Sequence, residues 1–164
     1  MQKPLYFVCP TDAMECIINH SSNSENYFYT SLGNAIQLND KVIDSLKDLI
    51  VNKSISEVRI VISNDNRIIL DAIGDKEFSQ IKGVNEIYDS IEIQRNFKNV
   101  FWQSSYCQDS LLNGYLRSKI KEIQEILDKS GLDPIKVSGK IYDKSESVFT
   151  DVEHVFPHDF FSLN

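Results

Sequence analysis

Two short apolar runs, each ending in a polar turn, constrain this chain more than any other feature: LYFVCPTD at residues 5–12 and VRIVISND at 58–65. Aliphatic and β-branched runs of this length suit strands covered on both faces, the condition of a parallel sheet. In an open α/β sheet the polar strand ends are where ligands and chemistry gather. The candidate site residues are therefore Cys9 at the end of the first run and the stretch Ser63, Asp65, Asn66 and Arg67 at the end of the second. No histidine stands beside them in sequence, so an enzyme built here would lack the commonest general base.

The rest of the chain alternates as crossover units require. Asp12 and Glu15 have the spacing of a capping box, predicting a short helix over 12–20. ENYFYTS at 25–31 reads as a strand before a turn at Gly33-Asn34. Asn39 offers an N-cap to a helix over 40–52, whose Val42, Ile43, Leu46, Leu49 and Ile50 form one apolar stripe. Short helices are expected over 66–73 and 84–93. Ser105 and Gln108 suggest a second capping box, opening a helix of about 24 residues that carries Leu111, Leu112, Tyr115, Leu116, Ile120, Ile123, Ile126 and Leu127. Its charged series, Lys119, Lys121, Glu122, Glu125, Asp128 and Lys129, reads as a solvated face. Beyond Gly131 and Pro134, residues 135–143 and 147–152 read as a hairpin, followed by an aromatic tail. The expected fold is a single α/β domain over residues 1–164, with a mainly parallel sheet, helices on both faces and the 58–63 strand in its interior.

Composition narrows the function classes. With 164 residues, 41% hydrophobic and 25% charged, the chain can build a core without disulfides or a structural metal. Seventeen basic against 24 acidic residues give a net charge of -7, which argues against nucleic-acid binding through phosphate attraction. No apolar run approaches the ~20 residues of a membrane span, and the N-terminus does not read as a secretory leader. The expected location is the cytoplasm. Cys9, Cys16 and Cys107 are too scattered for a disulfide framework; Cys16 and Cys107 are expected in the core.

In order, several strings resemble the β-class carbonic anhydrases. Cys9-Pro10-Thr11-Asp12-Ala13 stands where that family has C-x-D-S-R, and Thr30-Ser31-Leu32-Gly33-Asn34 where it has R-N-A-G-N. Asp40 through Asp44-Ser45-Leu46 matches a helix string. Ile62-Ser63-Asn64-Asp65-Asn66-Arg67 follows the third strand, and Val137-Ser138-Gly139-Lys140-Ile141-Tyr142-Asp143 resembles the late v-x-G-x-x-Y-D. The resemblance spans about residues 4–152. It implies the family's α/β fold and its assembly as dimers or larger oligomers. The family's zinc ligands would fall on Cys9, Ser63 and Asn66, so only the cysteine is kept, and the aspartate and arginine that orient the metal-bound nucleophile fall on Thr11 and Ala13. Asp12 is a one-residue register substitute for that aspartate, or else the helix cap. Catalytic zinc needs about three strong ligands drawn from thiolate, imidazole and carboxylate. A hydroxyl and an amide do not compensate the ion, so no zinc and no cofactor are expected.

Two functions remain open on this reading. The first is a non-catalytic carbonic-anhydrase-like binding or structural protein, acting as a homodimer. The second is an enzyme of altered chemistry, with Cys9 as nucleophile or ligand beside a small polar or anionic substrate held by Asp12, Asp65 or Arg67. Cys9 as inert packing, and Asp65 with Arg67 as a solvated ion pair, are the simpler alternatives. Gly33-Asn34 could receive an anion. His154 and His158, with Asp151, Glu153 and Asp159 nearby, have metal-pair spacing that Pro157 disrupts. His20 complements the end of the first helix. Tyr27, Phe28 and Tyr29, with Phe156, Phe160 and Phe161, are candidates for a subunit contact.

Overall fold

A computed structural model describes residues 3–22, 25–97 and 105–152. The elements are β1 (Pro4–Val8), α1 (Met14–Ser21), β2 (Tyr27–Thr30), α2 (Asp40–Lys53), β3 (Glu57–Ser63), α3 (Arg67–Ile73), α4 (Asn85–Phe97), α5 (Ser105–Asp128), β4 (Lys136–Asp143) and β5 (Val148–Asp151). They form one five-stranded sheet in the order β2-β1-β3-β4-β5. All neighbours are parallel except the β4-β5 hairpin. The expected α/β fold is therefore present, with β3 in the interior.

Alternation along each strand separates two cores. Leu5 and Phe7 of β1, with Val58, Ile60 and Ile62 of β3, face α2, α3, α4 and α5. Tyr6, Val8, Val61 and Tyr142 face the other way, onto Met14 and Ile18 of α1. Among the described residues helices thus lie on both faces, but unequally: four on one and a single eight-residue helix on the other. Phe28 stacks on Tyr6 with ring centroids 5.7 Å apart, and Tyr29 leans on Phe7 at 5.3 Å. Part of the β2 aromatic surface is thereby used within the chain.

Local chemistry explains most boundaries. Asn39 caps α2, its side chain accepting from the Val42 N–H at 3.1 Å. α5 runs for 24 residues and buries Leu111, Leu112, Tyr115, Leu116, Ile120, Ile123 and Leu127. Gly33 has φ +57, and a Cβ there would lie 2.5 Å from Ile87 Cδ1, so the turn needs glycine for both conformation and space. Gly139 likewise lets Ile120 of α5 approach β4.

Three expectations change. Asp12 does not cap α1: Ala13 is left-handed (φ 52) and Asp12 ends a single 3-10 turn, Pro10–Asp12, so the helix starts at Met14. Cys16 is exposed on α1 rather than in the core. Lys119 leaves the solvated face of α5 and is only 6% exposed, with its ammonium 2.8 Å from Glu122 and 3.6 Å from Glu86 of α4. The capping box expected between Ser105 and Gln108 rests on a residue whose side chain lies outside the described ones; the Gln108 amide donates to the Asn64 carbonyl at 2.8 Å. Cys107, His154, Glu153, His158, Asp159, Phe156, Phe160 and Phe161 lie outside the residues whose side chains are described. No helix among the described residues is long and apolar enough to cross a membrane.

Candidate functional site

The ends of β1 and β3 are adjacent because the two strands pair in parallel, with Val8 opposite Val61. Cys9 leaves β1 fully buried, and its sulfur accepts from the Gly33 N–H at 3.0 Å and contacts Thr11 Oγ1 at 3.0 Å. Gly33 is held from the far side by the Tyr115 hydroxyl, which donates to its carbonyl at 2.8 Å. The Thr11 hydroxyl donates to Asp12 Oδ1 at 3.3 Å. With that proton assigned, the thiol donates to Thr11 and the relay runs from Cys9 through Thr11 to Asp12.

Asp12 spans the gap to β3. Its Oδ2 accepts from the Ser63 N–H at 2.9 Å, and its Oδ1 accepts from Asn66 Nδ2 at 2.7 Å. Asn66, 1% exposed, caps α3 with its other amide atom, Oδ1 accepting from the N–H groups of Ile68 and Ile69 at 3.1 and 3.0 Å. That double acceptance fixes the amide, so its NH₂ points at the carboxylate. The Ser63 hydroxyl, also buried, donates to Asp65 Oδ1 at 2.5 Å. Asp65 pairs with Lys144 of the hairpin turn, 2.9 Å away, and not with Arg67, which is exposed.

The two carboxylates are tuned in opposite directions. Burial raises the Asp12 pKa and the neighbouring Asp65 charge adds to this, while the Ser63 N–H, the Asn66 amide and the Thr11 hydroxyl oppose it. Asp65 is held below the usual range by the Ser63 hydroxyl and by Lys144. Thus Cys9, Thr11, Asp12, Ser63, Asp65 and Asn66 form one hydrogen-bonded network, with Arg67 outside it. Gly33-Asn34 offers no open anion nest, since the Gly33 N–H goes to Cys9 and the Asn34 N–H to the Ser31 carbonyl.

Sequence reasoning missed Lys144, Gln108 and Tyr115 as parts of this region. Lys144 lies 79 residues from Asp65 and carries no local signal. Asn64, Asp65, Leu70, Gln108, Lys144 and Ser145 line an open cleft of about 490 Å³ at the strand ends. A larger cavity of about 1040 Å³ runs along α4 and α5, away from the Cys9 network. Among the described residues, no three or more His, Cys, Asp or Glu side chains gather as a metal site.

Neither a protein-family model nor a curated protein matches this sequence. Solved structures do match. The wild-type β-carbonic anhydrase CafD of Aspergillus fumigatus superposes with a TM-score of 0.70 at 17% identity, covering 92% of this chain and 89% of that one. A Coccomyxa β-carbonic anhydrase in complex with acetazolamide gives 0.70 at 11% identity, covering 92% and 71%. A tetrameric β-carbonic anhydrase of Sordaria macrospora gives 0.68 at 12%, covering 93% and 81%. The chain has the β-carbonic-anhydrase fold. At these identities it is the fold that is shared.

Proposed function

We propose that this chain is a non-catalytic carbonic-anhydrase-like binding or structural protein: a single domain over residues 1–164, acting as a homodimer in the cytoplasm. One observation carries the reading. At the three positions where the resemblance puts zinc ligands, the side chains are committed to one another and to the backbone. The Cys9 sulfur accepts from Gly33, the Ser63 hydroxyl donates to Asp65, and the Asn66 oxygen caps α3. A neutral hydroxyl and a spent amide oxygen do not replace imidazole and thiolate around zinc, and this set does not fit the ion.

Other features support the remaining parts. The α1 face borders a cavity of about 400 Å³ lined by Tyr6, Ile18, Arg59, Val61, Lys140 and Phe149 among others, a mix of aromatic and cationic groups suited to a subunit contact. The Sordaria relative in fold is tetrameric. Cys9 and Cys16 are free thiols, in keeping with a reducing compartment. The cleft at Asp65 and Lys144 is the place for a small polar or anionic ligand.

The test is CO2 hydration by stopped flow, with zinc measured on the same purified protein. The expected outcome is a rate equal to buffer and far less than one zinc per chain. One tightly held zinc per chain together with rapid hydration defeats the proposal.

A further inference from the structure

We propose that Asp12 performs, without metal, the cross-linking that a metal ion would provide at these strand ends: its carboxylate is a clasp fixing the end of β1 to the end of β3 and the start of α3. The inference rests on the reading that Cys9, Ser63 and Asn66 hold no zinc. It goes further by assigning the mechanical role to a residue at none of those three positions.

The geometry is specific. A zinc held by residues 9, 63 and 66 would join the end of β1 to the last residue of β3 and, three residues on, to the cap of α3. Asp12, on the turn that follows Cys9, reaches the same two points: Oδ2 to the Ser63 N–H at 2.9 Å and Oδ1 to the Asn66 amide at 2.7 Å. Both ends are prepared for an anion. Asn66 has its oxygen occupied by Ile68 and Ile69, which leaves only NH₂ for the partner. The Ser63 N–H is a backbone donor, so this end of the clasp does not depend on the residue type at 63 for its hydrogen bond. Thr11 and Cys9 extend the clasp inward to Gly33, and through it to Tyr115 of α5. The same network thus reaches β1, β3, α3, the Gly33 turn and α5.

Burial and the Asp65 charge work against an ionised Asp12, and the Ser63 N–H, the Asn66 amide and the Thr11 hydroxyl oppose them. Asp65 has its own partners in Lys144 at 2.9 Å and the Ser63 hydroxyl at 2.5 Å. Charge-assisted hydrogen bonds of this kind are about twice as strong as neutral ones. Deleting the acceptor leaves two donors, one backbone and one amide, without their partner at a half-buried site.

Thermal unfolding of the purified full-length chain tests the clasp, with Asp12→Ala and Asp12→Asn compared in chelator and in added zinc. The wild type should melt at the same temperature under both conditions. Asp12→Ala should lower Tm by roughly 3–8 °C. Asp12→Asn, nearly the same shape, should also lower it, because its NH₂ confronts one of two donors. In Asp12→Asn the Ser63 amide should exchange with solvent at least ~10-fold faster, a change that loss of packing volume does not predict. An Asp12→Asn protein with wild-type Tm and wild-type Ser63 exchange overturns the clasp and leaves the non-catalytic reading standing. A wild type that carries zinc and loses Tm in chelator overturns both. If Asp12→Ala does not accumulate, Asp12→Asn decides alone.

Discussion

At the scale of single residues, the two described cysteines make opposite predictions. Cys9 is fully buried and its sulfur is bonded on two sides, whereas Cys16 projects from α1 into solvent. Alkylation with a small reagent near neutral pH, mapped by mass spectrometry, should label Cys16 within minutes and leave Cys9 unmodified until denaturant is added. Rapid labelling of Cys9 in the folded protein would revive the nucleophile reading. Sequence located Cys9 correctly because a strand end followed by Pro10 is a local signal, and it misplaced Cys16 because α1 is too short for its stripe to be phased. Asp12 shows the limit most clearly. Its spacing to Glu15 satisfies the capping rule, yet the side chain is taken by donors 51 and 54 residues away. A local rule loses to a partner that only the sheet brings near.

At the scale of elements, α3, the following 3-10 turn (Glu77–Gln80) and α4 are tied at one side chain. Asp71 accepts from the N–H groups of Glu77 and Phe78, each at 2.9 Å, and from the Tyr88 hydroxyl of α4. Burial alone would raise the Asp71 pKa, but the Tyr88 hydroxyl and the two N–H groups outweigh it and hold the carboxyl below its ordinary 3.8. A depressed carboxyl stabilises the fold above its unfolded pKa, and that contribution fades as pH falls through the folded value. Asp71→Asn should therefore lower Tm by about 2–5 °C near neutral pH, with the gap to wild type closing below about pH 4. A gap that persists unchanged at pH 3 would show that the linkage is not electrostatic. The sequence exposed α2 and α5 through their long apolar stripes and the cap at Asn39. It also placed the short helices of this corner, expected over 66–73 and 84–93 and found at Arg67–Ile73 and Asn85–Phe97, but not the Asp71 contacts that tie them.

At the scale of the whole molecule, the parallel pairing of β1 with β3 and the interior position of β3 were readable from their near-continuous apolar runs, whereas the order of all five strands came with the family resemblance. The unequal cladding of the sheet was not readable, since alternation says that a face is covered but not by what. That face is where the proposed homodimer should form. Light scattering across a range of concentrations should give twice the chain mass, and a charge reversal at Arg59, which borders the cavity there, should shift the protein toward monomer. A monomeric mass at every concentration rejects the dimer. The double duty of Asn66 has a consequence for how such a site could change over generations. Replacing it with cysteine, a step toward a thiolate–imidazole–thiolate centre, removes the cap of α3 and the amide end of the clasp at once. Placing histidine at Ser63 first crowds a 1%-exposed position while still one ligand short. Either order crosses a less stable intermediate before metal can repay the loss, so the path to a zinc centre runs through a valley that single substitutions do not bridge.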